Sequence, residues 1–239
     1  MKKDIPEATG WDHAHLAVKA ALSAVPIAGG PAAEIFAAVI APPLARRRDA
    51  WLQALADGLA ALEERVDGFD PRKLADNEAF ISAVMEASQI ALRTHQKEKL
   101  EALRNAVLNV AVGDQVDDEE QAAFLGLIQE FTTWHLAILK TFQNPLGLAR
   151  ENNLNMNAVG GPSDVLESIV PALRGRRDEY DPFVTDLHQR GLLGIDSLHV
   201  MMTSQGMYAK RTTPRGDRFL AFIASPTERP SVIRTPDNT

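Results

Sequence analysis

Trp51-Leu52-Gln53-Ala54-Leu55-Ala56-Asp57-Gly58-Leu59-Ala60-Ala61-Leu62-Glu63-Glu64-Arg65-Val66 repeats its bulky apolar side chains mostly at intervals of three and four. That period places Trp51, Leu52, Leu55, Leu59, Leu62 and Val66 on one side of an α-helix and leaves Arg47, Asp49, Asp57, Glu63 and Glu64 mostly off it. Leu44 extends the stripe upstream, and Asp67-Gly68 ends it. The same grammar recurs for about another 80 residues, so this stretch decides the fold class: mainly α.

Downstream, Asp70-Pro71 reads as a cap followed by proline at the first helical position. The helix expected after it carries Phe80, Ile81, Val84, Met85, Ser88, Ala91 and Leu92 on its apolar face. His95-Gln96-Lys97-Glu98 either joins it to the next helix or continues straight through. Leu100, Leu103, Val107, Leu108 and Val110 form the next stripe, closed by Gly113. Asp117-Asp118-Glu119-Glu120 puts acid at a helix start, where the macrodipole favours it. One long helix is then expected from Phe124 through Phe142, stopping at Asn144-Pro145.

After that the pattern changes. Residues 146–162 are rich in Asn and Gly and read as a linker. Gly160-Gly161-Pro162-Ser163-Asp164 opens a helix through Leu173, and Asp181-Pro182 opens another that closes at Gly191. Leu198–Met202 and Met207–Arg211 are strand-like and meet at Ser204-Gln205-Gly206, a hairpin turn. Thr213-Pro214 caps a last helix carrying Phe219, Leu220, Phe222 and Ile223. The expected organisation is a leader, 1–14; a helical domain with an apolar hairpin, 15–145; a linker, 146–162; a winged-helix-like α+β domain, 163–224; and a loose tail, 225–239.

Upstream of the opening stretch, Ala14–Ala45 carries only Lys19 and Glu34 as charges, is interrupted by Val25-Pro26-Ile27-Ala28-Gly29-Gly30-Pro31, and ends against Arg46, Arg47 and Arg48. Pro and Gly fold it into two short arms. Each uncharged run, Ala20–Ala33 and Ile35–Ala45, is shorter than the roughly 20 apolar residues a spanning helix needs. Ile35, Phe36, Val39 and Ile40 give the second arm one bulky face. Such a hairpin has two homes. It can be buried in the bundle, where alanine lets helices approach closely, or it can insert conditionally into a bilayer with Arg46–Arg48 at the headgroups.

The 239 residues are 45% apolar and contain no cysteine, which excludes a disulfide scaffold, thiol catalysis and thiolate metal sites. A net charge of −7 offers no global attraction to nucleic acid or anionic lipid. Residues 160–239 are charge-balanced, so the first 159 hold the whole acidic excess. The early acids, Lys19 and Pro26 spoil a secretory signal. The chain is expected in the cytoplasm, with peripheral contact at the inner membrane.

Leu187-(x)3-Gly191-Leu192-Leu193, the expected hairpin, and Thr212-Thr213-(x)2-Gly216-(x)2-Phe219-Leu220 resemble, in that order, the second half of a winged helix. Thr212 stands where that family often has Leu. The resemblance implies a helix before Gly191 placed for the major groove and a wing placed for phosphate. Arg190, Lys210, Arg211, Arg215 and Arg218 are the candidate nucleic-acid contacts. A domain of zero net charge, however, lacks the basic footprint of a DNA binder, which favours a protein-interaction role for it.

Taken together, Val25–Asp49, Asn77–Asn109 (with Asn77-Glu78-x-Phe80 and Lys97-x-Lys99-Leu100-x-Ala102-Leu103-Arg104-Asn105) and the C-terminal block resemble bacterial abortive-infection proteins of the Abi-alpha type. The resemblance implies a non-enzymatic role in phage defence and supplies no catalytic residues. The hairpin residues Ile35, Phe36, Val39, Ile40, Arg46, Arg47 and Arg48 would carry membrane or partner contact. A protein partner or self-association is expected, with membrane and nucleic acid as further candidates.

No motif argues for an enzyme. Gly29-Gly30 and Gly160-Gly161 form neither a phosphate loop nor a dinucleotide fingerprint. His95-(x)2-Glu98 has helical i,i+3 spacing but lacks the second copy and extra glutamates of a di-iron site. His13 and His15 lie in the leader, and Trp134-His135 reads as packing with a satisfied imidazole. No cofactor, metal or small-molecule substrate is expected. The alternative function is a winged-helix transcription regulator.

Overall fold

The computed structural model describes residue 39 and residues 41–113, 116–155 and 160–227. Ile35, Phe36, Ile40, the expected leader and most of the expected tail lie outside the described residues. The fold is mainly α, and among the described residues β-structure is confined to two isolated bridges. Two compact units are formed, one by residues up to 129 and from 222 onward, the other by residues 130–221.

The first unit contains α1 (Ala41–Arg65), a 3-10 turn (Pro71–Asp76), α2 (Glu78–Arg93), α3 (Lys97–Ala111) and α4 (Asp118–Glu130). Pro42 and Pro43 sit in the first turn of α1, where a missing N–H costs no intrahelical bond. Trp51, Leu55, Leu59 and Leu62 are buried, as their spacing predicts, along with Gly58. α1 lies against both α2 and α3, which pack along one another. The Trp51 indole Nε1–H donates to the Ser88 hydroxyl at 2.8 Å, tying α1 to α2 inside the core.

Asp70 does accept a backbone bond, from the N–H of Arg72 at 3.1 Å, but it opens only the 3-10 turn. Asn77 starts the true helix, its Oδ1 accepting from Phe80 N–H at 3.0 Å. Thr94-His95-Gln96 separates α2 from α3, which settles the alternative that the sequence leaves open.

α3 is buried on several sides and carries polar groups inward. Lys99 Nζ donates to the carbonyl of Gln129 at 2.8 Å. One turn or more along, Asn105 Nδ2 donates to the carbonyl of Ile223 at 3.0 Å. Asn109 Nδ2 reaches the carbonyls of Phe222 and Ala224 at 2.6 and 2.9 Å. The last carbonyls of a helix have no partner within it, so these three side chains stop two other helices from inside the unit. The Phe124 ring packs against Phe222 with centroids 5.6 Å apart.

The long helix expected from Phe124 to Phe142 is two helices. α4 ends at Glu130, and α5 (Thr133–Gln143) begins after Thr132. The break has a local cause: His135 Nδ1 accepts the Thr132 backbone N–H at 3.0 Å, so a side chain takes the bond that a continuous helix would have made through its backbone.

The second unit continues with α6 (Pro145–Glu151), α7 (Pro162–Ile169), a 3-10 turn (Pro171–Leu173), α8 (Arg177–Gln189), α9 (Ser204–Met207) and α10 (Pro214–Ile223), whose last two residues belong with the first unit. The Asn- and Gly-rich stretch from 146 therefore begins inside a helix. Asn144 ends α5 and also caps α6, accepting from Gly147 N–H at 3.0 Å with Pro145 at the first position. Buried Ala149 anchors this short helix. α8 starts at Arg177, earlier than the Asp181-Pro182 signal suggests, and Pro182 lies within it. The carbonyl of Arg176 accepts from Glu179 and Tyr180, and the Arg176 guanidinium pairs with Glu179 at 2.5 Å.

The two-stranded wing is not formed by the described residues. Ser204–Met207 is a helical turn, begun by Thr203, whose carbonyl accepts from Met207 N–H at 2.8 Å. The strand-like stretch before it finds another partner. Met202 N–H donates to the Gly160 carbonyl at 2.9 Å, and Ser163 N–H donates to the Leu198 carbonyl at 3.1 Å. Glycine permits this approach, because a Cβ on Gly161 would stand 2.9 and 3.1 Å from the carbonyl oxygens of Leu198 and Val200. The second bridge joins Leu193 to Thr212.

The motif around Thr213 and Gly216 acts as a helix start. The Thr213 hydroxyl accepts from Gly216 N–H at 3.0 Å and donates to the Gly191 carbonyl at 2.6 Å. Gly191, at φ +71°, closes α8. The residues that resemble a winged helix in sequence thus form a helix stop and a helix start, with no strand among the described residues.

Candidate functional site

In α1 the first burial comes late. Val39, Pro42, Pro43, Arg46 and Arg47 are exposed, Val39 at 59%, and the first buried side chain is Trp51. The rest of the hairpin, residues 20–38 and Ile40, lies outside the described residues. Arg48 is half-buried and pairs with Asp49 at 3.1 Å. Of the three arginines that follow the apolar arm in sequence, Arg46 and Arg47 therefore stand exposed on α1 and Arg48 only in part.

Beside them α1, α2 and α3 enclose a groove of about 500 Å³ within the first unit. Trp51, Ala54, Ala91 and Leu100 line its apolar part, and Arg47 and Arg104 bring cations to it. Three of the lining residues, Ala50, Ala54 and Ala91, are alanines. Thr94, His95 and Glu101 add polar groups from the α2–α3 junction. Arg104 Nη2 donates to Asn105 Oδ1 at 3.2 Å, while its buried Nε–H has no acceptor among the described residues. An unmet buried donor costs about 1–3 kcal/mol.

The candidate nucleic-acid residues are held largely by their own unit. Arg190 pairs with Glu130 at 2.5 Å and with Asp186 at 3.1 Å, and its guanidinium lies over the Phe131 ring at 5.9 Å. Its bond to Asp186 holds it charged, above the usual arginine range. Lys210 pairs with Asp217 at 2.5 Å. Arg211 Nη2 donates to the Gly206 carbonyl at 2.5 Å. Arg215 Nη1 donates to the Arg190 carbonyl at 3.3 Å. Arg218 is exposed on α10. The structure does not give these five residues a shared wing.

Two histidine networks complete the second unit. His135 stacks on Phe131 with centroids 4.7 Å apart, accepts the Thr132 N–H through Nδ1, and lies 3.3 Å from Asp186 through Nε2. Both ring nitrogens are thus occupied, as the reading of a satisfied imidazole requires. His199 reaches both Asp181 oxygens through Nε2, at 2.7 and 2.9 Å, and contacts the guanidinium of Arg177 through Nδ1. Arginine only donates, so Nδ1 accepts and Nε2–H donates to Asp181. This fastens the loop after α8 back onto α8. Sequence reasoning passes over it because His199 lies 18 residues beyond Asp181 and shares no local spacing with the Arg177–Asp181 pair. Among the described residues no group of His, Asp or Glu could hold a metal, and no single helix is long and apolar enough to cross a membrane.

Comparison of the chain with protein-family models, curated proteins and solved structures returns no match.

Proposed function

We propose that this chain is a non-enzymatic bacterial defence protein of the abortive-infection type, acting on a membrane or partner through its N-terminal apolar arm. The observation that carries the reading is the unburied start of α1, where Val39, Pro42 and Pro43 at the end of the apolar segment, and Arg46 and Arg47 directly after it, remain outside the core. An apolar arm followed by interfacial arginines is the composition of a segment that enters the headgroup region. The resemblance of Val25–Asp49 and Asn77–Asn109 to Abi-alpha proteins supplies the biological setting. The second unit, with winged-helix order but helical content, serves as the partner-sensing part.

The regulator reading has less support. Its wing is absent among the described residues, and Arg190 and Lys210 are already paired with carboxylates. The test is a phage challenge of cells expressing the chain. Wild type is expected to restrict plaque formation, and Phe36→Asp to lose that effect while accumulating to the same level. Equal restriction by both, or none by wild type, contradicts the proposal.

A further inference from the structure

We propose that the groove between α1, α2 and α3 is a binding site for a single-chain anionic amphiphile, with its head on Arg104 and Arg47 and its chain along Trp51, Ala54, Ala91 and Leu100. The groove's volume, about 500 Å³, lies within the range of small-molecule sites. Its lining holds both kinds of group such a ligand needs, small and apolar side chains together with two guanidinium groups. That charge is notable in its setting. The first 159 residues hold the whole acidic excess of the chain, yet among the described residues Glu101 is the one carboxylate that lines this groove, and no ion pair links it to either arginine.

Arg104 also supplies a specific demand. Its Nη2 donates to Asn105, and its buried Nε–H lacks an acceptor among the described residues. Trp51 is a fixed wall, because its indole N–H is committed to Ser88. Occupancy would therefore change its surroundings without turning the ring.

The experiment uses the full chain carrying Trp11→Phe and Trp134→Phe, which leaves Trp51 as the sole indole. Fluorescence is titrated with dodecyl phosphate below its micellar concentration, with dodecyl maltoside, inorganic phosphate and adenosine monophosphate as comparisons. A saturable Trp51 change with dodecyl phosphate alone is expected. Binding should be weaker by about tenfold in Arg104→Met and several-fold in Arg47→Gln; the latter alters an exposed side chain and leaves the core intact. No saturable response, an equal response to the uncharged detergent or the nucleotide, or unchanged affinity in Arg47→Gln and Arg104→Met overturns the site. The result is independent of phage restriction.

Discussion

Gly216 shows how a single missing Cβ sets local geometry. A Cβ there would stand 3.1 Å from the carbonyl carbon of Leu192 and closer still to its oxygen, which is backbone and cannot rotate away. The same residue's N–H is the one that Thr213 caps. Gly216→Ala should therefore cost about 2 kcal/mol or more, despite alanine's better helix propensity. Urea unfolding checks this; an unchanged or raised midpoint would contradict the close approach. The spacing Thr213-(x)2-Gly216 is legible in sequence as a helix start. That its glycine is required by a carbonyl 24 residues earlier is not.

At the scale of elements, buried polar side chains of α3 terminate other helices. Asn109→Ala removes the donor to two carbonyls at once and should lower stability by about 1–3 kcal/mol. Adding Asn105→Ala should cost less than the sum of the two single changes, since both serve one helix end. Additive losses in denaturant titration would show that the two asparagines act separately.

α7 and α8 are linked by Glu167 and Tyr180. Burial works to raise the Glu167 carboxyl, but the Gly175 N–H at 3.0 Å and the Tyr180 hydroxyl at 2.8 Å hold it below the ordinary range. Burial first, and then the Glu167 carboxylate, push the Tyr180 phenol upward. A carboxyl with a depressed folded pKa contributes stability above its unfolded value, near pH 4.3, and loses it as pH falls through the folded value. Tyr180→Phe moves Glu167 back toward its usual range. The drop in urea midpoint from pH 7 to pH 3 should then be smaller than in wild type; an equal or larger drop contradicts the linkage. Legibility at this scale was uneven for a physical reason. The stripes of α1 and α3 are local and periodic, so their faces follow from sequence. The break at Thr132 and the helical turn at Ser204 depend on side-chain caps, from His135 and from Thr203, and both override propensity.

For the whole molecule, mainly-α content follows from the period of its apolar residues, while the candidate sites are only partly foreseeable. Arg47 is conspicuous in the triple-arginine run, but its partner in the groove, Arg104, lies in an ordinary amphipathic helix. The lining alanines carry no signal until three helices meet. The account rests on the apolar arm ahead of α1 acting outside the core. Its most direct measurement is dye release from vesicles containing anionic lipid, comparing wild type with Phe36→Asp and Ile35→Asp. The account predicts release by wild type, lost in both variants while their helical content and unfolding midpoints are unchanged. Intact vesicles with wild type, or equal release by all three proteins, would contradict it.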